Sequence, residues 1–192
     1  MSSSPVEFSI APRTASADPF RDRRPPWSED AERAVLAAMI MSADAIVTAS
    51  ELCTEDMFYR EGHRRLFRAM MSLNAAGAVV DPLTLSNELE QRGDLPGAGG
   101  KEYIGGLLDE VPTAANVEHH CKIVREKSLR RRLIETATAL VREGHESPAD
   151  VAELLDMAEH KILELNDQRG SEGFVKIKLL LWAAMERIEQ LR

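Results

Sequence analysis

Between Trp27 and Leu165 the apolar positions recur every three or four residues, the period of a helix, and no stretch alternates with period two. The expected fold is therefore all-α. Ala31, Ala34, Val35, Ala38 and Met39 form the first stripe. Ser28 stands before it as a capping residue, and Glu29 and Asp30 follow in the first turn, where the positive end of the helix dipole favours acids. Ser42 and Asp44 predict a break before a second helix over residues 45–52, and Thr54 precedes a short capped turn. Leu66, Met70 and Leu73 share one stripe that Gly77 stops. Asp81-Pro82 is a cap followed by a first-turn proline, opening a helix with Leu85 and Leu89 inward and Gly93 at its end. GDLPGAGG reads as a loop, and KEYIGGLLDE as one more short helix.

The next helix changes sides. Val117, Cys121, Val124 and Ser128 make one stripe, whereas Leu129, Leu133, Ala137 and Leu140, with Ile134 and Val141 beside them, lie roughly opposite. A long helix with that pattern packs one face into the preceding bundle and offers another face to something else. Gly144 is expected to end it. Ser147-Pro148-Ala149-Asp150 then reads as the capped start of a second helix with the stripe Val151, Leu154, Leu155, Ala158, Ile162 and Leu165. Two helices joined by so short a loop make an antiparallel hairpin. Its stripes can seal only partly against each other, which points to a twin hairpin in another subunit. The expected organisation is a disordered arm (1–26), a compact helical head (27–128), a protruding helical hairpin (129–165), a flexible linker (166–173) and a separate last helix (174–192). That last helix carries Leu179, Leu180, Leu181 and Trp182 in succession, so apolar groups face nearly every direction and require a docking groove.

Charge and composition narrow the functional classes. A net charge of −8 argues against a surface that grips phosphate throughout. The chain holds only two cysteines, Cys53 and Cys121, which suits a reducing compartment, and no apolar run approaches a spanning helix. A cytoplasmic protein without a membrane partner is expected. His119, His120 and Cys121 have metal-binding chemistry but lie about 100° apart in succession on a helix, so they fan around it and cannot close on one ion. Cys121 falls in the buried stripe and reads as a small core side chain. The basic run that follows includes Arg130, Arg131 and Arg132, which point to three sides of the helix. They are expected to pair with the acids of the second hairpin helix, Asp150, Glu153, Asp156 and Glu159, or with a neighbour, in preference to clamping DNA. His63 with Glu61, or His145 with Glu146, are neighbours in sequence, which is no catalytic geometry.

Five stretches in order carry a family resemblance: EDAERAVLAAMI, EDMFYREGHRRLFRAMMSL, VDPLTLSNELEQRGDL, GGKEYIGGLL and VPTAANVEHHCKIVREKSLRRRLI. Together they resemble the amino-terminal domain of the bacterial replicative DNA helicase, the DnaB family, from about Pro26 to the last residue. The family usually has Tyr and Ala near the positions of His120 and Cys121, so the His-His-Cys run replaces core-type residues. The resemblance implies a module of assembly and docking. The hairpins pair, through Leu133, Ile134, Ala137, Leu140, Val151, Leu154, Leu155, Ala158 and Ile162 in this chain, and six chains close a collar of three dimers. It also implies that the last helix docks through Leu180, Leu181 and Trp182 on the ATPase domain of a neighbouring subunit, and that primase and a helicase loader are partners. The sequence contains no GxxxxGK[ST] phosphate loop. No catalysis is expected of this chain, which reads as a fragment or truncated product. ATP and magnesium, and most contact with single-stranded DNA, would belong to the ATPase domain. The rival reading is a stand-alone helical DNA-binding or adaptor protein using the helix from Val117 to Arg132. It lacks a clear helix-turn-helix turn and is short of aromatic residues for stacking.

Overall fold

Ser28 is extended, and its hydroxyl oxygen accepts from the Ala31 amide at 3.4 Å, which starts α1 (Glu29–Met41). The structure, a computed structural model, describes residues 24–110 and 113–167. The expected arm lies outside these residues up to 23, as does the helix expected over 174–192 with Leu180, Leu181 and Trp182. Seven α-helices follow one another in the described residues: α1, α2 (Ala43–Leu52), α3 (Glu61–Ala75), α4 (Pro82–Gln91), α5 (Gly100–Glu110), α6 (Val117–Glu146) and α7 (Val151–Asp167). Two short 3₁₀ turns, Glu55–Met57 and Ala114–Asn116, lie between them, and no strand occurs among the described residues. No helix there is long and apolar enough to cross a membrane.

The centre of the head is α1, which packs on α2, α3, α5 and α6. Surrounded on so many sides, it buries Leu36, Ala37 and Ile40 in addition to the expected stripe. Leu66, Met70, Leu85, Leu89 and Ile104 complete the core at 0% exposure. At the start of α4 the Asp81 carboxylate accepts from the Leu83 and Thr84 amides at 2.8 Å, while the Thr84 hydroxyl oxygen accepts from the Asp81 amide at 3.0 Å. This reciprocal pair satisfies donors that a helix start otherwise leaves open.

The Val117, Cys121, Val124 and Ser128 stripe is buried, and α6 then continues without a break into the hairpin. Two details of the hairpin differ from the sequence reading. Gly144 does not end α6, which runs on to Glu146 with Ser147 as its extended C-cap. A glycine stops a helix when it takes a left-handed conformation, and Gly144 is absent from the positive-φ glycines. The stop comes instead from Pro148, whose ring pushes the preceding residue out of the helical region. Nor is Ser147 the cap of α7. That role falls to Asp150, whose carboxylate accepts from the Glu153 amide at 2.9 Å, while the Ser147 hydroxyl oxygen accepts from the Ala149 amide at 3.2 Å. The described part of α7 also takes in residues 166 and 167 of the expected linker.

Candidate interaction surface

Three cations of the basic run of α6 are paired with acids of the head or of α6 itself. Lys122 pairs with Glu118 and Arg130 with Glu126, each one turn back on the same helix and 2.6 Å away. Arg132 reaches Asp56 in the first 3₁₀ turn. Arg130 and Arg132 thus meet Glu126 and Asp56, acids outside the expected set of Asp150, Glu153, Asp156 and Glu159. Arg131 is buried at 8% exposure and donates to the Pro26 carbonyl at 2.9 Å and the Met57 carbonyl at 2.6 Å. Its guanidinium also sits 5.4 Å from the Tyr59 ring centroid. It ties the chain's entry and the 3₁₀ turn to the root of the hairpin.

Cys121 is fully buried against Cys53, whose thiol donates toward the Cys121 carbonyl at 3.8 Å. The contact with Cys121, reinforced by burial, pushes the Cys53 thiol far above the ordinary range, so it stays protonated and inert. His119 and His120 stay outside that pair as an edge-on couple with ring centroids 6.1 Å apart.

His63 does not belong with Glu61. Its ring lies within the head at 1% exposure, with Nδ1 2.6 Å from the equally buried Glu32 carboxylate and Nε2 2.6 Å from the Tyr103 hydroxyl. Glu32 also accepts from the Tyr59 and Arg60 amides at 2.6 and 3.4 Å. With Nδ1–H donating to the carboxylate, Nε2 is placed to accept a hydrogen bond from the Tyr103 hydroxyl. The chain of bonds joins α1, α3 and α5 and satisfies polar groups that would be costly to bury alone. The cluster forms a polar network within the core. Sequence reasoning missed it because Glu32 and Tyr103 lie 31 and 40 residues from His63.

The hairpin is where chemistry faces outward. Among the described residues beyond Arg131, none is buried. Thr136 and Ala139 of α6 meet Lys161 and Leu165 of α7 across a crevice of about 370 Å³, which also includes Arg132, Glu135 and Glu164. Measured from that seam at 100° per residue, Leu133, Ala137 and Leu140 project to one side of α6, and Glu135, Thr138 and Arg142 to the other. In an antiparallel pair the same sense of rotation leads to the same side of the layer. Val151, Leu155 and Ile162 therefore join the apolar side, and Glu153, His160 and Glu164 the charged side. Exposure agrees: Leu133 51%, Val151 72%, Leu155 65% and Ile162 46%. Ile134, at 52%, continues the apolar face around the back of α6. Leu140 and Ala158 are half-buried at its edge, and Leu154 is turned inward on the stripe of Lys161 and Leu165. The structure thus gathers most of the expected interface residues onto one face and sets Leu154 apart as a seam residue.

A helical head bearing a hairpin of this kind matches known proteins. A family model described as the DnaB-like helicase N terminal domain matches residues 24–126. The chain belongs to that family. The crystal structure of the N-terminal domain of DnaB helicase from Mycobacterium tuberculosis is similar at 39% identity and a TM-score of 0.70, covering 73% of this chain and 99% of that one. The replicative DNA helicase DnaB of Geobacillus stearothermophilus is 41% identical over 172 residues, 90% of this chain and 38% of that protein. The replicative DNA helicase DnaC of Bacillus subtilis (strain 168) is 40% identical over 91% of this chain and 38% of its own length. The chain therefore spans well under half of these replicative helicases and corresponds to a DnaB-like N-terminal domain. A structure titled as a DnaB-like replicative helicase and its interactions with primase shares the fold, with a TM-score of 0.61 at 21% identity.

Proposed function

We propose that this chain is the collar module of a replicative DNA helicase: it assembles subunits and docks other replication proteins, while unwinding is done elsewhere. The observation that carries this reading is the two-sided hairpin, apolar along Leu133, Ala137, Leu140, Val151, Leu155 and Ile162 and charged on the reverse. An exposed apolar face of that length on a protruding element is stabilised by covering it, and an equivalent hairpin from a second copy has the matching surface. Pairs formed in this way would close three at a time into a six-membered ring. Primase, and a helicase loader, would dock on the assembled collar. The relatives' ATP-dependent activity would rest on a motor domain that supplies ATP and magnesium binding and the main path for single-stranded DNA. Leu180, Leu181 and Trp182 would dock against it. Local neutralisation of Lys122, Arg130 and Arg132 by acids favours this reading over direct DNA binding by α6.

Leu155→Asp combined with Ile162→Asp tests the assembly. Both side chains are exposed, so the variant should keep the helical content of the parent chain while light scattering reports a monomer where the parent forms a dimer or higher assembly. A parent chain that is monomeric at high micromolar concentration would overturn the proposal.

A further inference from the structure

Helix α5 is built unlike its neighbours. It is entered through two successive glycines with left-handed backbone, Gly99 (φ +103°) and Gly100 (φ +80°), a conformation that L side chains rarely adopt. A Cβ at Gly99 would also lie 2.7 Å from Cγ of Tyr103, so the glycine is needed to seat that ring. Farther along, Gly105 and Gly106 interrupt the body of the helix. Nothing lies within 4 Å of where a Cβ would stand at either, so close packing does not require a glycine there. They weaken the helix without improving its fit. α5 is held by Ile104 and Leu107 buried against the core, by Tyr103 and Leu108 packed on it, by the ion pair of Lys101 with Glu90 at 3.5 Å, and by the 2.6 Å bond from the Tyr103 hydroxyl to His63. Beside its entrance lies a cleft of about 280 Å³ lined by Arg60, Gly62, Gly97, Gly99 and Tyr103.

We propose that α5 is a latched segment that opens separately from the rest of the head, with Gly99–Gly100 as hinge and the Tyr103–His63 bond as latch. Opening uncovers the sides of α1 and α4 on which α5 packs and frees His63 from one of its two partners. Local openings of this kind are expected where the backbone propensity of a segment is poor, as Gly105 and Gly106 make it here.

Native-state hydrogen exchange of the full chain in low urea tests it. Amides at Ile104, Leu107 and Leu108 should exchange at least about tenfold faster than those of α1 and α3, with a shallower dependence on urea, because less surface is exposed in a partial opening. Gly105→Ala with Gly106→Ala should slow α5 exchange about 15–25-fold, since each glycine weakens a helix about four- to five-fold relative to alanine. Tyr103→Phe should speed it about fivefold through loss of one hydrogen bond. If α5 exchanges at the rate and urea slope of α1 and α3, or if the double alanine variant leaves its rates unchanged, the separate opening is excluded. Unchanged rates in Tyr103→Phe would remove the latch.

Discussion

The head and the hairpin are made from the same kinds of residue at the same spacing and end in opposite states. Leu66, Leu85 and Leu89 are at 0% exposure, whereas Leu133 and Leu155 are at 51% and 65%. The difference is geometric. In the head α1 is enclosed by four helices, so an apolar residue on almost any side finds cover. Two helices alone can cover only the seam between them. A periodic stripe therefore states that a face must be covered but is silent about which molecule covers it.

The contrast can be broken most directly by deleting one leucine from each region. Leu66→Ala should lower unfolding stability by about 2–5 kcal/mol, because a fully enclosed site leaves a cavity. Leu155→Ala should change the stability of the isolated monomer by no more than about 0.5 kcal/mol, as an exposed substitution does, yet weaken self-association. Urea unfolding at several protein concentrations measures both. A cost of several kcal/mol for Leu155→Ala at the lowest concentration would mean that the hairpin face is covered within one chain.

Arg131 sits at the border and sharpens the comparison. Arg131→Met should cost about 1–3 kcal/mol, since the carbonyls of Pro26 and Met57 lose their charged donor inside the structure. Thermal unfolding should register the loss, and limited proteolysis should show earlier cleavage near Pro26. An unchanged cleavage pattern would show that the entry segment is held without it.

The smallest effect concerns pH. Hydrogen bonds from the Thr84 and Leu83 backbone amides outweigh desolvation and hold the Asp81 carboxyl below the usual aspartate range. A carboxyl depressed in the folded state stabilises the fold above its unfolded pKa, and that contribution fades as pH falls through the folded value. Stability of the head should therefore decline on its acid side below the ordinary aspartate pKa. Asp81→Asn should make that decline shallower while still capping α4, as asparagine does. Equal acid slopes in the two proteins would assign the decline to other carboxylates.

How far these features were legible depended on how local their causes are. Ser28, and Asp81 with Pro82, act within one turn, and both caps stand where the residues indicated. The hairpin's ends were misread because two stop signals compete, and Pro148 constrains the backbone more strongly than Gly144 relaxes it. Arg131, Arg132 and His63 required contacts spanning the head. Asp56 is 76 residues from Arg132, and no periodicity marks Glu32 and Tyr103 as partners of His63. The apolar hairpin face was visible as a stripe, but Leu154 could be separated from Leu155 only once the seam was located.

The unbroken course of α6 has a mechanical consequence. The last stretch beyond Arg131, residues 132–146, extends about 22 Å at 1.5 Å per residue from a base embedded in the core. With no joint along its length, such a rod acts as a lever. A tilt of about 10° at the base carries the tip about 4 Å, so a small rearrangement around Pro26, Met57 and Tyr59 would be magnified where hairpins meet. Motion imposed at the tip would return to the same three residues as torque.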